Sequence, residues 1–338
     1  MQPTELRRLG ATDIHVTALG FGGVPLGGIF EVIDEDTARA TVNRAWDEGA
    51  RLFDTAPLYG HGLSELRMGA VLRQKPRDEY RLSTKVGRYL RPGVPGRIDM
   101  GQWQQSIGFE TVYDYSYDAT FREVEQSMMR LGIPRIDILL IHDVDVWTHG
   151  DAYEQRYREA MEGSYRALRK MREDGTVGAI GVGVNEAEVC ARFARDGDFD
   201  CFLLAGRYTL LEQGALDDFL PLCAERNIGI MLGGPYNSGI LATGAIPGAR
   251  YNYRDAPPEI LERVGRIQAV CQRHGVPLAA AAIQFPLAHP AVASMIPGAV
   301  TPYEVTRNAR LMQLPIPADL WAELKHEGLL RADAPVPR

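Results

Sequence analysis

The sequence predicts an α/β fold, a (β/α)8 TIM barrel preceded by an N-terminal β-hairpin. Three observations carry this reading. Eight short β-branched or apolar runs are spread along the chain, several nearly continuous, as parallel strands covered on both faces require. Segments with apolar residues at helical spacing lie between them. No Ser/Pro-rich linker breaks the alternation. The 338 residues are therefore expected to form a single domain, 1–338, with the barrel over about 6–315 and a C-terminal helix and tail over 316–338.

In order, "RRLGATDIHVT" reads as a short hairpin with "GATD" as its turn, placed to plug the bottom of the barrel. The expected strands are "ALGFG" (18–22), "RLFDT" (51–55), "YRLSTKV" (80–86), "IDILLIH" (136–142), "TVGAIGVGV" (176–184), "DCFLLA" (200–205), "IGIML" (228–232) and "VASMI" (292–296). Among the helices, Phe121, Val124, Met128 and Leu131 keep the 3–4 spacing of one buried face, as do Ile260, Val264, Ile267 and Cys271. Asp118 is the expected N-cap of the first of these, and Asp36 that of the helix after the first strand. Residues 87–117 read as a long Gly/Pro/aromatic connection without periodic structure, ordered as a lid by its aromatics. The final "RADAPVPR" is expected to trail as solvated coil.

Composition limits the function. A formal net charge of −7 argues against nucleic acid and against an anionic membrane surface. The opening "MQPTELRRLG" is polar rather than signal-like, and no apolar run approaches the ~18 residues of a membrane span. Cys190, Cys201, Cys223 and Cys271 lie in apolar-periodic segments without CxxC spacing and read as reduced core thiols. The expected setting is cytoplasmic, with a monomer or homodimer acting on a small molecule.

Side chains at the C-terminal ends of barrel strands converge on one site. Strand two ends in Asp54, strand three carries Lys85, strand four ends in His142 and strand five ends in Asn185, with Tyr59 in the turn after strand two. Singly, Asp54 is an ordinary turn cap, Lys85 an ordinary solvent-reaching lysine and His142 an ordinary buried histidine. Four polar groups on one rim read instead as a site. A phenol titrates near ~10 and is a poor base at neutrality unless a cation lowers its pKa. Lys85, anchored by Asp54, is expected to do this, while His142 hydrogen-bonds and orients a substrate oxygen. The set can move one proton at a C–OH/C=O pair. It lacks the multi-His spacing of a zinc site, so no metal is expected. Side chains do not carry hydride, so a nicotinamide partner is implied.

The segments "FDTAPLYG", "STKVG", "DILLIH" and "GVGVNE" resemble the signatures of the aldo-keto reductase superfamily. The resemblance implies a catalytic tetrad of Asp54, Tyr59, Lys85 and His142. It implies cofactor contacts from Gly22, Gly23, Asn185, Asn237, Ser238, Gly239, Gly298, Glu304 and Asn308. "DYSYDA", "HDVD" and "LLAGRYTLLEQ" are similar to the sugar-oxidising D-threo-aldose 1-dehydrogenase (L-fucose dehydrogenase) branch, to which pyridoxal 4-dehydrogenase is related. Two departures stand out: Ala205 in place of a usual glutamine, and Gly233 in place of the usual nicotinamide-stacking aromatic, for which Tyr236 is the replacement considered.

NADP-preferring relatives carry lysine, serine and arginine where "IPGAVTPYEVTRN" (296–308) has Gly298, Ala299 and Glu304. A carboxylate repels a 2′-phosphate but accepts hydrogen bonds from ribose hydroxyls. The same residues also read as a helix start, and Arg307 is a cation on the opposite side of the argument. The expectation is NAD over NADP, and oxidation of an aldose's anomeric hydroxyl to a lactone. Trp103, Trp147 and His149 are expected to line the substrate pocket. The alternatives are pyridoxal oxidation, NADP-dependent reduction of aldehydes and carbonyls, and a non-catalytic cofactor-sensing regulatory subunit.

Overall fold

The structure is a computed structural model that describes residues 1–94 and 96–337. All eight expected strands are present and parallel: β1 (Phe21–Gly22), β2 (Leu52–Asp54), β3 (Arg81–Val86), β4 (Ile138–His142), β5 (Ala179–Val184), β6 (Cys201–Ala205), β7 (Gly229–Gly233) and β8 (Val292–Ile296). They hydrogen-bond in chain order, and parallel bridges from Leu19 to Met295 and from Gly22 to Gly298 join the first edge to the last. The sheet thereby becomes a (β/α)8 barrel.

Alternation along each strand builds two layers of core. Leu139 and Ile141 of β4 face the helices, while Ile138 and Leu140 face the barrel axis with Leu52, Ala179, Cys201, Leu203 and Met231. The predicted hairpin pairs Leu6–Arg8 antiparallel with His15–Thr17. Its Leu9, Ile14 and Val16 are buried in the axial cluster, so it does plug the bottom. All four cysteines are free and buried. Among the described residues no helix is long and apolar enough to cross a membrane.

Several local expectations are corrected. The helix Glu35–Asp47 is capped by Asp34, whose carboxylate accepts from Thr37 N, and not by Asp36; the helix Tyr117–Leu131 is capped by Ser116 and not by Asp118. In both cases an extended residue two positions earlier has its oxygen aimed at the third amide, while the expected acid already lies in the first turn. The 87–117 connection is not aperiodic: Arg88–Pro92 and Phe109–Tyr113 pair as an antiparallel hairpin, from Arg88↔Tyr113 to Pro92↔Phe109. The C-terminal segment is not loose coil either. Ala334 is buried, Val336 packs on the core, and Lys325 Nζ donates to the Ala332 and Ala334 carbonyls.

Candidate active site

The rim of the barrel brings the four expected groups together. Alternation sends Asp54, Lys85 and His142 to the axial side, one or two steps above the apolar layer. Lys85 Nζ donates to Asp54 Oδ2 and to the Thr55 carbonyl, both at 2.8 Å, and Ser83 Oγ donates to Asp54 Oδ1 at 2.9 Å. The lysine is 1% exposed. The ammonium lies 4.8 Å from the Tyr59 ring centre. Tyr59 in turn meets His142 edge-to-face at 5.8 Å and Trp103 at 5.8 Å.

Burial dominates the electrostatics. Desolvation pushes the Asp54 carboxyl up against the opposing pull of Lys85. His142 is held well below its usual value, first by burial and then by the positive charges of Arg88 and Lys85, so its imidazole is neutral at physiological pH. The expectation for Tyr59 is overturned. Its phenol is raised well above the ordinary range by burial and by the charges of Asp54 and Asp143. The charge that opposes this rise is that of Arg88 rather than Lys85. Tyr59 therefore holds its proton and stands ready as a donor.

These side chains open onto a cavity of ≈790 Å³ that crosses the C-terminal ends of the strands. Trp103 and Trp147 line it as expected, but His149 does not. The His149 ring turns away, packs edge-on against Tyr113 and shares a 3.1 Å hydrogen bond with Tyr115 Oη. Gly22 and Asn185 line the cavity, whereas Gly23 lies behind its wall. A Cβ on Gly23 would stand 2.7 Å from Ser64 Oγ, so glycine is needed there for packing.

At the far end, Asn237, Ser238 and Gly239 have successive positive φ angles of 46°, 60° and 104°. This tight turn spends the Asn237 and Gly239 N–H groups on the Gly234 and Tyr236 carbonyls, and all three residues line the cavity. Gly298, Glu304, Arg307 and Asn308 complete this end. Glu304 Oε2 accepts from Val300 N at 2.7 Å and its own N–H donates to Oγ1 of the N-cap Thr301, so its role as a helix start and its place on the cavity wall hold together. Tyr236 Oη donates to Asn308 Oδ1 at 2.8 Å. That bond ties Tyr236 to the Asn308 end, away from Gly233. The donors present fit a nicotinamide dinucleotide.

Sequence reasoning missed four cavity residues. Arg88 opens the lid hairpin and donates to Asp143 Oδ2 at 2.8 Å and to Tyr113 Oη at 3.1 Å. Asp143 was visible in "HDVD" but carried no assigned role. Tyr253 belongs to a strap, the antiparallel pair Arg250–Tyr251 and Arg254–Asp255, and Arg207, in the loop after β6, reaches it. This strap is held by Arg207 Nη1 on Asn252 Oδ1 at 2.9 Å, by Tyr253 N on Ser238 Oγ at 3.0 Å, and by Tyr251 Oη on Glu212. Its two-residue turn, Asn252-Tyr253, has φ of 49° and 63°. A tyrosine there gives no turn signal in the sequence.

Comparison with known proteins agrees with this geometry. The Aldo/keto reductase family matches residues 18–327. The pyridoxal 4-dehydrogenase of Microbacterium luteolum is 40% identical over 98% of this chain and 99% of its own length. The D-threo-aldose 1-dehydrogenase of a Pseudomonas species is 40% identical over 95% and 96%. Among solved structures, the holo form of an aldo-keto reductase from Bacillus halodurans superposes with a TM-score of 0.74 over 98% of both chains; its 24% identity makes that a likeness of fold. This chain belongs to the aldo/keto reductase family, oxidoreductases that use nicotinamide cofactors on small-molecule substrates.

Proposed function

We propose that the protein oxidises the anomeric hydroxyl of an aldose, such as L-fucose or another D-threo-aldose, to its lactone, with NAD preferred over NADP. The observation that carries this reading is the convergence of a buried phenol, a neutral imidazole and a lysine–carboxylate pair on one cavity. The 40% identity to a D-threo-aldose 1-dehydrogenase supports the substrate class.

In this mechanism the anomeric hydroxyl binds between Tyr59 and His142. His142, neutral and rigidly packed against the phenol, hydrogen-bonds the reacting oxygen and fixes its direction. In oxidation Tyr59 Oη, as the phenolate, accepts the hydroxyl proton; in the reverse, reductive direction the protonated phenol returns it. Lys85 and Asp54 form the polar floor beneath the phenol, and each satisfies the other's charge. A bound nicotinamide supplies the carbon that accepts hydride. Asn185, the turn at Asn237, Ser238 and Gly239, and Gly298, Glu304 and Asn308 would hold that cofactor, with Glu304 disfavouring a 2′-phosphate. Because Tyr59 holds its proton tightly, oxidation is expected to accelerate as pH rises and the phenolate fraction grows.

The 40% identity to a pyridoxal 4-dehydrogenase favours a second reading. Pyridoxal closes to a ring hemiacetal and presents the same H–C–OH centre. Initial rates of nicotinamide reduction with L-fucose and pyridoxal, each with NAD and NADP, test both. Turnover of L-fucose with NAD well above NADP is the expected result. Turnover of pyridoxal alone overturns the aldose reading, and activity only with NADP overturns the Glu304 argument.

A further inference from the structure

Beside the four rim groups lies a second, separately built polar feature. Asp143 follows His142 but leaves the strand in a left-handed conformation, φ 52°, which swings its carboxylate back to the cavity wall. An L-residue with a Cβ adopts that conformation at a cost, so the placement has to be held by its surroundings. Here Arg88 holds it. The guanidinium is 3% exposed, stacks 4.5 Å from the Tyr113 ring centre and grips Asp143 Oδ2 at 2.8 Å.

The other carboxylate oxygen is left over. Among the described residues Asp143 Oδ1 accepts no hydrogen bond; His142 Nε2 lies 3.5 Å from it. The Asp143 side chain is 15% exposed and lines the cavity, so this oxygen is open to a donor from a bound molecule. Its position beside His142 Nε2 is informative. If His142 contacts the reacting oxygen, Oδ1 stands about one hydrogen-bond length further along the wall, where the hydroxyl on the carbon next to the reacting one would point.

We propose that Asp143 Oδ1 accepts a hydrogen bond from that neighbouring hydroxyl, so that the site selects substrates with an oxygen function on both the reacting carbon and its neighbour. Arg88 is a positioning residue that aims the carboxylate. This deepens the aldose reading by naming which substrate hydroxyl is recognised and by which atom, and it rests on that reading for the sugar itself but not for the vicinal-hydroxyl rule.

Two matched pairs test it. One is L-fucose against 2-deoxy-L-fucose in the oxidative direction. The other is lactaldehyde against propionaldehyde in the reductive direction, which needs no sugar activity. The wild-type protein should favour the 2-hydroxy member of each pair by roughly 10- to 100-fold in kcat/KM, the range for a hydrogen bond to a charged group. In Asp143→Ala that ratio should collapse toward one. Asp143→Asn, which keeps an acceptor oxygen and the side-chain volume, should retain part of it. Arg88→Met should lower the same ratio, and Arg88→Lys should recover some of it. A purely structural role would lower both members of a pair together and leave the ratio alone, and that result overturns the proposal. So does a wild-type protein without preference in the aldehyde pair. Preference in the aldehyde pair with no turnover of L-fucose would retain the Asp143 assignment and overturn only the sugar reading.

Discussion

The bottom and the rim of this barrel are built from the same strands and have opposite chemistry. Two residues along β2 separate buried Leu52 from Asp54, and β4 passes from Ile138 through Leu140 to His142 on its axial face. At the bottom these positions meet the hairpin's Leu9, Ile14 and Val16 in a closed apolar cluster. At the rim they meet a lysine, a phenol and a cavity. The lower layer gains free energy from burial alone. The rim keeps charges out of water and compensates with a short ion pair, a serine donor and a backbone carbonyl. Stability and reactivity are thus sorted along the axis of the barrel, and the sorting is open to experiment.

The largest effect is expected from Tyr59→Phe. It removes only a hydroxyl, so kcat for oxidation should fall roughly 10²- to 10⁴-fold while the thermal midpoint and cofactor affinity stay near wild type. Steady-state kinetics with calorimetry checks this, and residual turnover above a tenth of wild type would separate the phenol from the proton transfer. Next comes Lys85→Met, which leaves Asp54 buried without its partner. A stability loss of about 3–5 kcal/mol is expected in urea unfolding, together with loss of activity, so this substitution breaks the tidy division between the two ends. Adding Asp54→Leu should restore stability without restoring turnover.

At the bottom, Ile138→Ala should cost about 2–5 kcal/mol, with kcat per folded molecule unchanged. A changed kcat would mean that the apolar plug tunes the rim. The smallest effect belongs to Glu304→Gln. The glutamine amide oxygen can still accept from Val300 N, so the unfolding free energy should stay within about 0.5 kcal/mol of wild type. The kcat/KM with NADP should nevertheless rise about tenfold relative to NAD, since only the like-charge repulsion has been removed. An unchanged cofactor ratio would overturn the assignment of cofactor discrimination to Glu304.

Much of this was legible in the sequence, because strand patterning and the rim positions are local properties of each βα unit. The eight runs were nearly continuous apolar stretches, and a polar residue ending such a run must lie at its C-terminal end wherever the strand packs. Asp54, Lys85, His142 and Asn185 could therefore be assigned to one rim before their distances were known. The plugging hairpin was equally visible from its turn residues.

Other features depended on what came close in three dimensions. His149 and Trp147 are near neighbours in sequence, yet only Trp147 faces the cavity, because Tyr113 and Tyr115 capture the imidazole. The Tyr59 phenol was expected to be acidified by Lys85 and is instead raised, since burial and the charges of Asp54 and Asp143 outweigh the opposing charge of Arg88. Arg88 and Asp143 are 55 residues apart and meet only because the lid hairpin folds over β4. The sequence by itself determined the barrel, its closed bottom and the chemical types at its rim, because periodicity and strand ends are encoded residue by residue. Only the tertiary structure decided how those groups share charge and which loop residues join them, because desolvation and pairing depend on neighbours that the chain brings together from far apart.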